Sequence, residues 1–268
     1  MRRREFLTVS AIAGLAFRTS AMTRIPEAKP GKELLEQRLY HFKSMAKQEA
    51  FDDFLGRAAI PALNRAGIRP VGVFKILRDD NPKLGIEADS SDLYVLLPHR
   101  SPESFIMLVD RLAGDEAFLE AGAAILDAPK SDPAYVRYES SLMLAFDGVP
   151  QVEVPTRVDS RLLQLRIYES HSIERAIKKI EMFNESGELE IFRRCGMNPV
   201  FFGQSLIGPK LPNLTYMLGF ENKEAMAKAW AAFGRDPAWL KLRKDEKYKD
   251  TVSNITNLIL RPAASSQI

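Results

Sequence analysis

The chain has 268 residues, 46% hydrophobic and 27% charged, which suits a globular protein of two ordinary-sized domains. Its formal charge of +3 lies wholly in the first twenty-one residues, where Arg2, Arg3, Arg4 and Arg18 stand against Glu5 alone. The neutral remainder gives no electrostatic case for nucleic acid or an anionic membrane as partner, and the single Cys195 excludes an internal disulfide and a cysteine metal cluster.

Residues 1–21 have the three parts of an export signal. Arg2 to Arg4 form a basic start, Leu7 to Phe17 a run too short to cross a bilayer, and Thr19-Ser20-Ala21 a small-residue cleavage region. Arg3-Arg4-Glu5-Phe6-Leu7 resembles the twin-arginine signal, which implies export to the periplasm or another extracytoplasmic space. Residues 22–32, with two prolines and a glycine, read as a linker. No transmembrane segment is expected once the signal is removed.

From residue 33 the pattern is strand, helix, strand, strand, helix, strand. Leu34 to Phe42 alternates as a strand, and Ala46, Ala50, Phe54 and Ala58 mark a helix over about 44–66 that ends at Gly67. Val71 to Leu77 and Leu93 to Leu97 are the central strands. Ser101-Pro102 caps and opens the next helix, with Phe105, Leu108, Val109 and Leu112 as its apolar stripe. Leu142 to Phe146 closes the unit, and residues 151–160 form a second linker.

The order then repeats. Leu162 to Glu169 is a strand, and Ile173, Ala176, Ile177, Ile180 and Phe183 form a helical stripe that is interrupted at Asn184 to Gly187. Pro199 to Gln204 and Tyr216 to Phe220 are the central strands. Asn222 and Asp236-Pro237 cap two further helices, Val252 to Leu260 is the last strand, and 263–268 is a tail. Five landmarks recur in one order. Arg38-Leu-Tyr40 answers Arg166-Ile-Tyr168, Gly67-Ile-Arg-Pro70 answers Gly196-Met-Asn-Pro199, and Leu93-Tyr94-Val-Leu answers Thr215-Tyr216-Met-Leu. Asp115-Glu-Ala-Phe-Leu answers Asp236-Pro-Ala-Trp-Leu, and Ser141-Leu-Met-Leu answers Asn257-Leu-Ile-Leu.

Each repeat is thus a ferredoxin-like βαββαβ unit (33–150 and 161–262), an antiparallel sheet with both helices on one face. Packing the two bare faces together predicts an α+β fold, a tandem dimeric α+β barrel made from one chain. The alternative is two independent domains on a string.

Residues 161–262 resemble the NIPSNAP family. The resemblance is carried by Leu165-Arg-Ile-Tyr-Glu-Ser-His171, Ile180-Glu-Met-Phe-Asn184, Pro199-Val-Phe-Phe-Gly203, Leu211-Pro-Asn-Leu-Thr-Tyr-Met-Leu218, Trp230-Ala-Ala-Phe233 and Asp236-Pro-Ala-Trp239. The first unit keeps only its skeleton. Membership implies the dimeric α+β barrel fold and no defined catalytic residue set.

Strand alternation puts Leu163, Leu165 and Ile167 on one face, expected to meet the helices. Gln164, Arg166 and Tyr168 take the other, expected to face the barrel interior with Arg38 and Tyr40. A buried arginine needs acceptors, from an internal carboxylate or from an anionic ligand. The candidate ligand site is Arg166, Tyr168 and Asn257, with Glu169 and His171 at its mouth, for a small organic anion or an aromatic compound. No metal site and no cofactor are predicted; haem is an option only through His171 and fold analogy. Phe201, Phe202, Trp230, Phe233 and Trp239 read as core. No Ser-His-Asp set, glycine-rich phosphate loop or redox cysteine pair is visible. The functional readings are a ligand-binding barrel, a monooxygenase-like or haem-handling one, or a non-catalytic interaction protein with a filled barrel. A homo-oligomer is compatible with each.

Overall fold

Residues 31–268 are described by a computed structural model. The expected export signal and most of the first linker lie outside the described residues. The first unit contains β1 (Leu34–His41), β2 (Gly72–Lys75), β3 (Leu93–His99) and β4 (Arg137–Ala145). The second contains β5 (Leu162–Glu169), β6 (Asn198–Ile207), β7 (Asn213–Phe220) and β8 (Asn254–Pro262). All pairings are antiparallel, and the strand order 1-3-2-8-5-7-6-4 closes on itself. Each unit contributes one half of the ring. The halves are stitched by two residue pairs between β2 and β8 and by a bulged pairing of β4 with β6.

The helices begin where the capping residues place them. Ser44 caps α1 (Met45–Phe54), which runs through a π-helical turn, Leu55–Ala59, into α2 (Ile60–Arg65). Ser101 caps α3 (Pro102–Ile106) with Pro102 at its start, but the helix breaks at Met107 before α4 (Leu108–Ala113); Asp115 then caps α5 (Glu116–Leu126). That break turns the expected stripe, so Val109 is 72% exposed while Leu108 is buried. In the second unit Ser172, Asn222 and Asp236 cap α6 (Ile173–Asn184), α8 (Lys223–Arg235) and α9 (Pro237–Leu242), while α7 (Glu188–Arg194) follows Gly187. Gly67 and Gly196 take φ of +85° and +83° at equivalent helix ends, a conformation that glycine adopts without steric cost. Among the described residues, no helix is long and apolar enough to cross a membrane.

Three apolar clusters hold the fold. One lies under the first unit's helices, one under the second's, and the third fills the ring. The third takes Leu35, Phe74, Leu96, Met143, Leu163, Leu165, Phe201, Met217, Leu258 and Leu260, so every strand contributes to it. The two bare sheet faces therefore pack together as expected, but the faces are the reverse of those assigned from the sequence. Leu163, Leu165 and Ile167 point into the barrel; Gln164, Arg166 and Tyr168, like Arg38 and Tyr40, lie on the outer face under the helices. Period-2 alternation says which residues share a face, not which layer covers it. The narrow ring takes compact aliphatic side chains. The outer face suits long amphipathic ones, whose polar ends can reach the helix margins.

Two repeat landmarks also slip by one residue. Arg38 pairs with Val95 and with Ser140, whereas Arg166 pairs with Tyr216 and with Asn257. Val95 and Ser140 are thus the positional counterparts of Tyr216 and Asn257. A single-residue offset changes the face, so Tyr94 points inward while Tyr216 points outward.

Residues 263–268, expected only as a tail, are packed. Ala263 and Gln267 bond to the backbone of Val73 and Val71, and the Ile268 side chain joins the barrel interior.

Candidate functional site

The outer face of β5 is where the expected site residues meet. Its rows, Gln164 with Ile259, Arg166 with Asn257 and Tyr168 with Ile255, follow from the β5–β8 register. Gln164 Nε2 donates to Asn257 Oδ1 at 2.7 Å, and its Oε1 accepts from Trp230 Nε1 of α8 at 2.7 Å, so all three are fixed. Tyr216 Oη donates to Tyr168 Oη at 3.0 Å. Burial, and then the adjoining Tyr168, push the Tyr216 phenol well up, so Tyr216 stays neutral.

Arg166 is handled differently. Its guanidinium carbon lies 4.8 Å from the Trp230 ring centre and 5.3 Å from that of Tyr168, within cation–π range of both. Its Nε is sealed from solvent and bonds to nothing among the described residues, and no carboxylate among them comes within ion-pair distance of it. The nearest acidic influence is Glu188 of α7, which is already engaged by Lys179 Nζ of α6 at 2.7 Å. Burial pushes the Glu188 carboxyl up, opposed by Lys179 and more weakly by Arg166. Lys179 also lies 4.5 Å from the Phe183 ring centre, which helps hold a 5% exposed ammonium in place.

A groove of about 510 Å³ opens against Gln164 and Asn257, the sequence and cross-strand neighbours of Arg166, which itself stands behind the lining. Gln164, Asn257 and Ile259 form its floor, Met226 of α8 one wall, and Asp80 to Leu84 of the first unit the other. Asp80 brings no free negative charge there. Although burial alone would raise its carboxyl, Arg261 and Lys223 hold it low through ion pairs of 2.6 and 2.7 Å.

The first unit presents the same arginine with its acceptor supplied. Arg38 Nε and Nη2 donate to the two Glu36 oxygens at 2.6 and 3.0 Å, and Ser140 Oγ donates to the same carboxylate at 2.9 Å. His99 Nε2 lies 3.3 Å from it. Burial would raise the Glu36 carboxyl, but the contacts from His99, Arg38 and Ser140 win and hold it at about 2. Glu36 and Gln164 each stand two residues before the arginine, so one amide-for-carboxylate change separates a closed pair from an open cation.

The structure thus brings Arg166, Tyr168 and Asn257 together, on the opposite side of the sheet from that expected. Glu169 stands at the strand end, bonded to Asn254 Nδ2 at 2.8 Å and 3.8 Å from Lys210. His171 is exposed beyond β5 and lines neither this groove nor the barrel chamber. His99 is fully buried against Glu36 and Ser104, and His41 lies between Asp92 and Glu139. A haem needs an axial ligand facing a cavity of its size, and among the described residues no histidine is so placed. Lys179, Glu188 and Trp230 were not read as site residues. A signal for Lys179 existed, since it falls on the buried helix face with Ala176, Ile180 and Phe183, where an unpaired lysine would not be tolerated.

Residues 163–267 match the NIPSNAP family model, so the second unit carries a NIPSNAP domain. None of the curated proteins matches the chain. Among solved structures it is similar to a candidate monooxygenase from Fusobacterium nucleatum subsp. nucleatum ATCC 25586, at 7% identity and a TM-score of 0.56, covering 87% of this chain and 93% of that one. A second candidate monooxygenase, from Lactobacillus acidophilus NCFM, gives 13% identity and a TM-score of 0.55 over 86% and 94%. An uncharacterized NIPSNAP-like domain protein from Burkholderia xenovorans is 22% identical over 41% of this chain and 91% of its own, with a TM-score of 0.37. The first two establish the shared barrel-type fold and, at such identities, nothing of chemistry.

Proposed function

We propose that the second unit binds a small organic acid, with the carboxylate on Arg166 and the body in the groove against Asn257, Met226 and Ile259. One observation carries the reading: the Nε of half-buried Arg166 is sealed from solvent with no acceptor among the described residues, while its counterpart Arg38 is saturated by Glu36. A guanidinium is always charged, and sealing one of its N–H groups from water without an acceptor is costly. A ligand carboxylate would supply what Glu36 supplies in the first unit, with Trp230 and Tyr168 fixing the plane of the fork. Lys83 adds positive charge at the groove rim.

The test is calorimetric titration of the full-length protein with benzoate and with its neutral analogue benzamide. Benzoate should bind saturably and benzamide at least about tenfold more weakly, since each factor of ten is about 1.4 kcal/mol and a charge-assisted hydrogen bond contributes about that much. Arg166→Leu and Gln164→Glu should both abolish benzoate binding. Equal binding of the two probes, or benzoate binding kept by Arg166→Leu, would overturn the assignment.

Export is the second part of the proposal and rests on Arg3-Arg4-Glu5-Phe6-Leu7. Replacing Arg3 and Arg4 by lysine should leave full-length precursor in the cytoplasm; unchanged export would dismiss the twin-arginine route.

A further inference from the structure

The barrel is not filled along its whole length. At the end formed by the C-terminal part of β5 and the start of β8 lies a chamber of about 260 Å³, walled by side chains of both units. It is separate from the Arg166 groove, because the sheet itself stands between them. Leu39, Met143, Ile167 and Leu258 supply most of its apolar wall.

One buried polar atom on this wall lacks a partner. The Gln37 side-chain oxygen is sealed from solvent and meets no donor among the described residues. A buried amide oxygen left unbonded costs about 1–3 kcal/mol, so native folds rarely keep one without a reason. Beside Gln37, two positions along on the neighbouring strand β3, stands Tyr94. Burial, with Asp92 and Glu139 nearby, pushes its phenol up to about 12, so at neutral pH it remains an O–H that can both donate and accept. The charged groups at the rim have partners: Lys210 Nζ donates to Thr256 Oγ1 on the same wall at 2.8 Å and lies 3.8 Å from Glu169, and Glu139 faces His41 Nε2 at 3.2 Å.

We propose that this chamber is a second binding site, for a small neutral molecule with one hydroxyl or N–H group and a compact apolar body. The donor would meet Gln37 Oε1, Tyr94 would complete the polar end, and the aliphatic wall would receive the body. Charge is disfavoured at the inner end, where Leu39, Met143, Ile167 and Leu258 form the wall and no charged side chain stands. The volume lies just below the usual range for drug-sized ligands and suits a single six-membered ring. The same lining could instead hold ordered water, with three or so hydrogen bonds per molecule; the experiment separates the two.

The probe is 4-fluorophenol, followed by fluorine NMR on the full-length protein, with 4-fluorobenzoate as a second probe reporting the Arg166 groove. Saturable binding of 4-fluorophenol is expected. It should weaken at least about tenfold in Gln37→Leu, and equally in Leu39→Phe, which fills the chamber from the first unit without touching Gln37. Neither variant should change the 4-fluorobenzoate response, so failure here and failure of the organic-acid reading can be told apart. If wild type shows no saturable 4-fluorophenol binding, or if Leu39→Phe binds it as wild type does, the chamber holds only water and the inference is wrong.

Discussion

Arg38 and Arg166 stand at the same position of two copies of one motif, each under helices on the outer face of its sheet. The first has a carboxylate two residues before it, a serine on the neighbouring strand and a histidine behind, and it is closed on all sides. The second has glutamine at that place, with the amide spent on Asn257 and Trp230, and the guanidinium keeps two aromatic faces and no acceptor. Duplication of a motif allows one copy to be locked by internal chemistry while the other keeps the cation and releases its partner. The difference teaches that the locked copy shows what the open copy lacks.

The largest expected effect breaks the closed copy. Arg38→Leu should destabilise the protein by about 3–5 kcal/mol, because Glu36 is left buried without its main counter-charge. Arg166→Leu should change stability by less than about 1 kcal/mol, since no paired partner is stranded. Urea denaturation of the two variants side by side measures this, and equal losses would erase the distinction. Leu165→Ala probes what the copies share. Leu165 is fully buried in the common interior, and a loss of about 2–5 kcal/mol is expected in the same assay.

Acid should sharpen the contrast. Glu36 has its folded pKa held down at about 2 from an ordinary 4.5. Its contribution is therefore fully present above about 4.5 and is lost as pH falls towards 2, on the order of 3 kcal/mol in all. Stability measured against pH should show this descent in wild type and a shallower one in Glu36→Gln. Gln164→Glu runs in the opposite direction: it rebuilds the first unit's pair in the second and should stabilise by about 1 kcal/mol, seen as a raised Tm. No gain would mean that Arg166 already has water or another acceptor in solution.

Much of the architecture was legible because local chemistry declared it. Ser101-Pro102, Asn222 and Asp236-Pro237 each open a helix as their capping chemistry requires, and the bounds of β5 follow from its alternation. What failed was parity. Both faces of each sheet are buried, so hydrophobicity could not say which one met the helices, and Arg166 and Tyr168 were placed inside. The same single-residue ambiguity equated Tyr94 with Tyr216, which lie on opposite faces. Residue types at the site were readable; their setting depended on long-range pairing, which no local pattern records. Nor did the stripe through α3 and α4 announce the break at Met107, where no proline or glycine stands.

The packed segment 263–268 gives the barrel a direction. The Ile268 side chain enters the ring beside Gly72, and Arg161, just before β5, holds its backbone oxygen through Nε and Nη2 at 3.3 and 3.1 Å. That end is stoppered, while the chamber lies at the other, beneath the loop that contains Lys210. Traffic into the ring would thus be single-ended, with entry and departure past one rim. Ile268→Ala would shrink the stopper itself, so that substitution tests the floor of the barrel directly.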